Sequence, residues 1–258
     1  MAVRAKKQLG QHFLRSSDTA RNIADCLPMV CPNCLEIGPG MGILTTQLLE
    51  KNINLKVIEI DGESIDYLLA NGIIDPSCCI QGDFLKLPMP QFFGGQQFMV
   101  MGNFPYNISS QIMFKVVENR DFVPALAGMF QREVARRICS PAGSKEYGIL
   151  SVLVQAFYDT MYHFTVDEHE FNPPPKVKSG VMSMVRKENY TLPCDEALFS
   201  NVVKTSFNQR RKTLSNSLKK ILNDNKLDDS IGQKRPEQLS VEEFISLTNT
   251  IADMLTKK

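Results

Sequence analysis

The chain has 258 residues, of which 43% are hydrophobic, and carries a formal net charge of +1 with a pI near 7.5. That length suits one large domain plus a small one, and the apolar share is enough for a packed core. Total charge does not by itself announce a nucleic-acid partner, and neither a membrane span nor a signal peptide is expected, so the predicted location is cytoplasmic.

Charge is unevenly spread. Lys6 and Lys7 belong to a basic N-terminal stretch, and Arg210, Arg211 and Lys212 to a second one over residues 200–222 that contains no acid. Such clusters are either solvated faces or a surface that tracks phosphates. The seven cysteines lie in apolar segments, which fits reduced thiols better than a disulfide framework. Cys31-Pro-Asn-Cys34 has C-x-x-C spacing, but no second pair with ordinary spacing accompanies it, so no metal site is predicted.

In chain order, Ser16, Ser17 and Asp18 cap a first helix that Pro28 ends. A first strand over Cys34 to Ile37 runs into Gly38-Pro39-Gly40-Met41-Gly42, and a helix follows over Ile43 to Leu49. Further strands are predicted at residues 55–60, 78–81, 98–101, 125–131, 162–168 and 180–186. Helices alternate with them, including a long one over 147–157. From residue 191 the pattern turns all-helical, with helices over 197–207, 213–222 and 241–255, the last opened by the capping box Ser240-Val241-Glu242-Glu243. The predicted fold is α/β, with a mostly parallel seven-stranded sheet in residues 1–190 and a small helical domain in residues 191–258.

Four successive strand ends carry chemistry. The glycine turn at Gly38, Gly40 and Gly42 lets a ligand approach the backbone, and its spacing departs from the dinucleotide fingerprint, which wants a glycine where Ile43 stands. Glu59 ends the second strand about 20 residues on, where an acid accepts ribose hydroxyls. Asp83 follows the third strand, in place for an adenine amine, and Gly102-Asn103-Phe104-Pro105-Tyr106 follows the fourth. The set suits S-adenosyl-L-methionine, whose sulfonium already activates the methyl group, so that the protein has to supply alignment. Asn103 Oδ1 and the Phe104 carbonyl would accept both protons of an amine on a base, while Pro105 stiffens the turn. Tyr106 would stack on the base, with Phe171 as a second aromatic contact or as a core residue before the prolines.

The segments Gly10-Gln11-His12-Phe13-Leu14, Glu36-Ile37-Gly38-Pro39-Gly40, Gly102 to Ile108, Gly143 to Gly148, Phe171 to Val177 and Phe207 to Lys212 stand in an order that resembles the ribosomal RNA adenine dimethyltransferases. The likeness is greatest to the bacterial small-subunit branch and covers nearly the whole chain. The resemblance implies a Rossmann-like class I methyltransferase domain that dimethylates N6 of two adjacent adenines in the 3′-terminal hairpin loop of 16S rRNA, within an immature small subunit, as a monomer. It also implies cofactor contacts at His12, Leu14, Gly38, Glu59, Asp83 and Asn103, with Gln11, Gly40 and Phe84 beside them, while the basic clusters are the reason to expect RNA contacts at Lys6, Lys7, Arg210, Arg211 and Lys212. His12 replaces the family's usual Asn and Lys178 its common Asp. The alternatives are the related 23S rRNA methyltransferases of macrolide resistance, a DNA adenine methyltransferase, and a binder acting mainly as an assembly checkpoint.

Overall fold

A computed structural model describes residues 3–256. Seven strands form the main sheet: β2 (Asn33–Ile37), β3 (Asn54–Glu59), β4 (Cys79–Gln81), β5 (Met99–Asn103), β6 (Ala125–Gln131), β7 (Tyr158–Val166) and β9 (Ser179–Arg186). Their order is β4-β3-β2-β5-β6-β9-β7, parallel from β4 through to β6 and antiparallel where β9 meets β6. A short separate ladder joins β1 (Phe13–Leu14) to β8 (Phe171–Asn172), pairing Leu14 with Phe171. The sequence pattern did not predict this ladder, because two-residue strands leave no period to read.

β2 and β6 are buried along almost their whole length. That is the signature of a parallel sheet covered on both faces. Helices α1 (Ser17–Asp25), α2 (Ile43–Leu49), α3 (Gly62–Ala70), α4 (Ser109–Glu118) and α5 (Arg132–Cys139) intervene between the strands. The Ser16 hydroxyl caps α1 by accepting from the Thr19 N–H at 3.1 Å, and Asp61 caps α3 through the Glu63 N–H at 3.1 Å. The chain leaves central β2 toward β3 on one side, and β5 lies on the other. The strand order therefore reverses here, and the carboxyl ends of β2 and β5 frame a crevice.

Close approach at this end depends on glycine. A Cβ on Gly128 would overlap the Gly102 carbonyl oxygen and stand 2.6 Å from the Phe104 ring. Without it, Phe104 lies fully buried against Phe130, the ring centroids 4.6 Å apart.

Two compact units divide the chain: one runs to Ala135 and resumes over Asp159–Arg186, the other holds Arg136–Tyr158 and the chain from Lys187 onward. The sequence reading placed the boundary at residues 190/191. Residues 136–158 fall in the second unit because α6 (Ile149–Gln155) packs on α7 (Glu196–Asn208), Tyr147 meets Phe207 edge-on at 6.0 Å, and Gly143 N–H donates to the Glu237 carbonyl at 2.7 Å. The second unit is completed by α8 (Leu214–Ser217), α9 (Lys219–Leu222), α10 (Asp229–Gly232) and α11 (Val241–Thr256). Ser240 and Glu243 form the expected reciprocal cap, Ser240 N–H to Glu243 Oε2 at 2.8 Å and Glu243 N–H to Ser240 Oγ at 3.2 Å.

Two helices differ from the sequence reading. The one expected over 147–157 starts at Ile149, because Gly148 is extended at φ −164° and ψ −163°, and the chain beyond Phe157 enters β7. The one expected over 213–222 breaks at Leu218. There the Ser217 hydroxyl bonds back to the Leu214 carbonyl at 3.3 Å, a local competitor of the helical ladder.

Candidate active site

A cleft of about 800 Å³, counted to its open mouth, lies at the carboxyl ends of β2, β3 and β5 within the first unit. Gln11, His12, Leu14, Gly38, Gly40, Glu59, Asn103, Phe104, Pro105 and Tyr106 all line it. Residues up to 95 positions apart are thus brought to one wall by the sheet topology.

On the β2 side the turn is shaped by Gly40, at φ +56°, where a Cβ would stand 2.9 Å from the Phe13 ring. The Gly40 N–H points to Glu59 Oε2 at 3.4 Å. Glu59 is 5% exposed, and its Oε1 accepts from the N–H groups of Ile60 at 2.8 Å and Asp61 at 2.9 Å. Burial raises its pKa, against the pull of those backbone N–H groups.

At the β5 end the Asn103 amide nitrogen donates to the His12 carbonyl at 3.0 Å. A carbonyl only accepts, so the nitrogen must face it, and Oδ1 is left as the group available to the cleft. The His12 ring stacks on Tyr106 with centroids 5.5 Å apart, and its Nδ1 bonds the Pro173 carbonyl at 2.8 Å, which requires the proton on Nδ1. The Tyr106 hydroxyl pairs with Ser179 Oγ at 2.5 Å. Burial raises the Tyr106 pKa, with Ser179 opposing.

Three expected residues are not on the lining. Phe171 is 2% exposed and belongs to the core cluster with Leu14, because the β1–β8 pairing turns it inward. Asp83 and Phe84 follow β4 beside the cleft rather than on its lining, although the Gly82 N–H donates to the Glu59 carbonyl at 2.9 Å and so brings the loop start to the end of β3. Phe84 is itself buried, stacked on Phe92 at 6.0 Å.

The basic residues divide. Lys6 sits 2.5 Å from Asp61 Oδ1 and 3.1 Å from Glu63, so its charge is spent inside the chain, where those hydrogen bonds raise its pKa. Arg210 is partly engaged, with Nε 3.7 Å from Glu237 and an N–H on the Ser144 carbonyl at 3.3 Å. Lys7, Arg211 and Lys212 are exposed. Lys178 is ion-paired with Asp167, which lowers the Asp167 pKa.

Sequence reasoning missed four residues. Asp61, 3% exposed, ties the N-terminal arm down by accepting from Lys6 and, at 3.0 Å, from the Gln11 amide. Burial pushes its carboxyl up, but Lys6, Gln11 and the Glu63 N–H outweigh that and hold it low. Its place before a helix was a readable capping signal. Glu36 lines the cleft fully buried, with Oε2 unpartnered, and burial raises its pKa to about 8. Ser179 anchors Tyr106, and Lys115 clamps the loop after Asp83. Neither of these two carries a sequence signal, because both act through distant main-chain or hydroxyl partners.

The cleft fits an adenosyl ligand by its own chemistry: a turn clear of Cβ atoms, a buried carboxyl group at the β3 end, an unpartnered buried acid oxygen, and Asn103 on its wall. Among the described residues no group of three His, Cys, Asp or Glu is placed to hold a metal ion, and no helix is long and apolar enough to cross a membrane.

Residues 2–253 match the family described as Ribosomal RNA adenine dimethylase. A protein of Flavobacterium johnsoniae named Ribosomal RNA small subunit methyltransferase A is 60% identical over 96% of both chains. One of the same name from Porphyromonas gingivalis is 52% identical over 96% of this chain and 98% of its own. The crystal structure of a dimethyladenosine transferase from Plasmodium falciparum superposes with a TM-score of 0.77 at 25% identity, covering 94% of this chain and 98% of that one. That of the 23S rRNA methyltransferase ErmE superposes with a TM-score of 0.64 at 23% identity, over 92% and 99%, which speaks to the fold.

Proposed function

This chain belongs to the ribosomal RNA adenine dimethylase family, and from that premise we propose that it dimethylates N6 of two adjacent adenines in the 3′-terminal hairpin loop of 16S rRNA. In this reading it works as a cytoplasmic monomer on an immature small ribosomal subunit. The small-subunit names of the relatives support that choice of substrate. The methyl donor is S-adenosyl-L-methionine, which supplies an electrophilic methyl group on a sulfonium.

The observation that carries the chemistry is the fixed Asn103 amide, held by the His12 carbonyl at 3.0 Å with Oδ1 left over at the cleft. An adenine amine is a poor nucleophile because its lone pair is delocalised into the ring. Asn103 Oδ1 and the Phe104 carbonyl accept hydrogen bonds from its N–H groups, so that the lone pair localises on nitrogen and the amine is oriented for attack. Each transfer forms one N–CH3 bond as the donor's S–CH3 bond breaks, the electron pair stays on sulfur in the departing thioether, and the amine gives up one N6 proton to water. Tyr106, steadied by Ser179, stacks on the extruded base and offsets part of the few kcal/mol that unstacking costs. On the donor side Glu59 holds the ribose hydroxyls, Asp83 takes the adenine amine, and Gly38 and Gly40 admit the methionyl chain along with Gln11, His12 and Leu14. Lys7, Arg211 and Lys212 serve as phosphate contacts, with Arg210 as a weaker one and Lys6 as an anchor of the arm.

Single-turnover methylation of small-subunit particles by Asn103→Ala tests this. Particle binding is expected to persist while transfer falls about 10²-fold or more. Transfer at the wild-type rate would remove Asn103 from the chemistry.

A further inference from the structure

α4 carries Lys115 in its last turns. Its ammonium meets three main-chain carbonyls of one loop: Phe84 at 2.7 Å, Leu85 at 3.0 Å and Leu87 at 2.6 Å. It also stands 5.1 Å from the centroid of the Phe84 ring. Three diverging donors on one atom are what an ammonium offers, and here all three go to a single loop. Burial lowers the Lys115 pKa, with Asp83 and Glu118 opposing, so the clamp is held against a desolvation cost.

The loop so held is folded around Asp83. Lys86 and Leu87 donate their N–H groups to the Asp83 carbonyl at 3.0 and 3.3 Å, and the Leu85 N–H takes Asp83 Oδ1 at 3.0 Å. Oδ2 is the carboxylate oxygen left for a ligand, its nearest cation being the exposed Lys86 at 3.7 Å. The Gly82 bond to Glu59 fixes only the start of the loop. From Asp83 to Leu87 the loop is held by its own N–H groups bonding the Asp83 carbonyl and carboxylate and by Lys115.

We propose that Lys115 is a positioning residue for adenine recognition: by gathering the carbonyls of Phe84, Leu85 and Leu87 it sets the direction of the Asp83 carboxylate toward the exocyclic amine of the methyl donor. This rests on the assignment of Asp83 to that amine. It assigns Lys115 to selectivity at the donor's base, not to methyl transfer.

The test compares equilibrium binding of S-adenosylhomocysteine with that of S-inosylhomocysteine, which carries a keto oxygen where adenine has its amine. Wild type is expected to prefer the adenosyl ligand by about tenfold or more, the scale of one hydrogen bond to a carboxylate. In Lys115→Met that preference shrinks toward one. Lys115→Arg, whose planar fork reaches fewer of the three carbonyls, falls between. A Lys115→Met protein that weakens both ligands equally and keeps the wild-type ratio would mean a merely structural lysine and overturn the proposal. If Lys115→Met does not fold, Lys115→Arg decides, and a ratio unchanged from wild type counts against it in the same way. Equal affinity of wild type for the two ligands sinks the Asp83 assignment, and the proposal with it. A wild-type preference that Asp83→Asn abolishes but Lys115 variants leave intact sinks the proposal alone.

Discussion

Glu36 is held far from its ordinary state. It is 1% exposed, Oε2 has no hydrogen-bond partner, and burial, with Glu59 nearby, pushes its pKa to about 8. In the unfolded chain it would titrate near 4.3. Between those values the native state keeps a proton that the unfolded state has released, so this group makes stability fall as pH rises from about 4.5 toward 8. Glu36→Gln, neutral throughout, is expected to lose that slope and to gain stability over wild type at pH 8 more than at pH 5, measured by urea unfolding without ligand. Equal pH dependence in the two proteins would place the Glu36 titration elsewhere. Sequence alone marked Glu36 as part of a strand and of the motif that runs on to Gly40, but not as buried, since its place in the middle of the sheet, with Val57 and Met101 on either side, is a matter of strand order.

At the scale of elements, the site depends on strand ends that approach without side chains between them. Gly128 in β6 faces Gly102 in β5, and the Phe104 ring occupies the space that a Cβ would need. Gly128→Ala is expected to cost about 1–3 kcal/mol of stability through overpacking and to lower methyl transfer by displacing the turn that holds Asn103. Unfolding and activity measured together check this, and an alanine variant as stable and active as wild type would show that the strands yield freely. The α11 cap is a second, independent element. Ser240→Ala removes the acceptor of the Glu243 N–H and is expected to cost about 1 kcal/mol. Thermal unfolding of the full chain reads the change, and an unshifted midpoint would mean that water replaces the cap. The capping box was legible from four residues, whereas the facing glycines were not, because their pairing is a matter of register between strands 26 residues apart.

For the whole molecule, charge is sorted by where it is neutralised. Arg211 and Lys212 are exposed, while Lys6 is bound by Asp61 and Glu63 and Lys178 by Asp167. Replacing Arg211 and Lys212 by Gln is expected to weaken RNA binding and to reduce the slope of log affinity against log salt by about 1 for each phosphate that is no longer neutralised. Lys6→Gln is expected to leave that slope unchanged, and a slope reduced as much by Lys6→Gln would mean that its ion pairs open on binding. Periodicity and turn chemistry are local, so the alternation of strands and helices, the glycine turn, the acids at the strand ends and the Asn103 to Tyr106 motif were legible from the residues alone. Tertiary structure decided which of these groups are left free to act. The ladder of Leu14 with Phe171 took an aromatic out of the cleft, the His12 carbonyl oriented Asn103, and the pairing of Lys6 with Asp61 turned an expected RNA-binding lysine into an anchor. Each of those outcomes depends on a partner between 55 and 157 positions away, and only the folded chain brings such partners within hydrogen-bond distance.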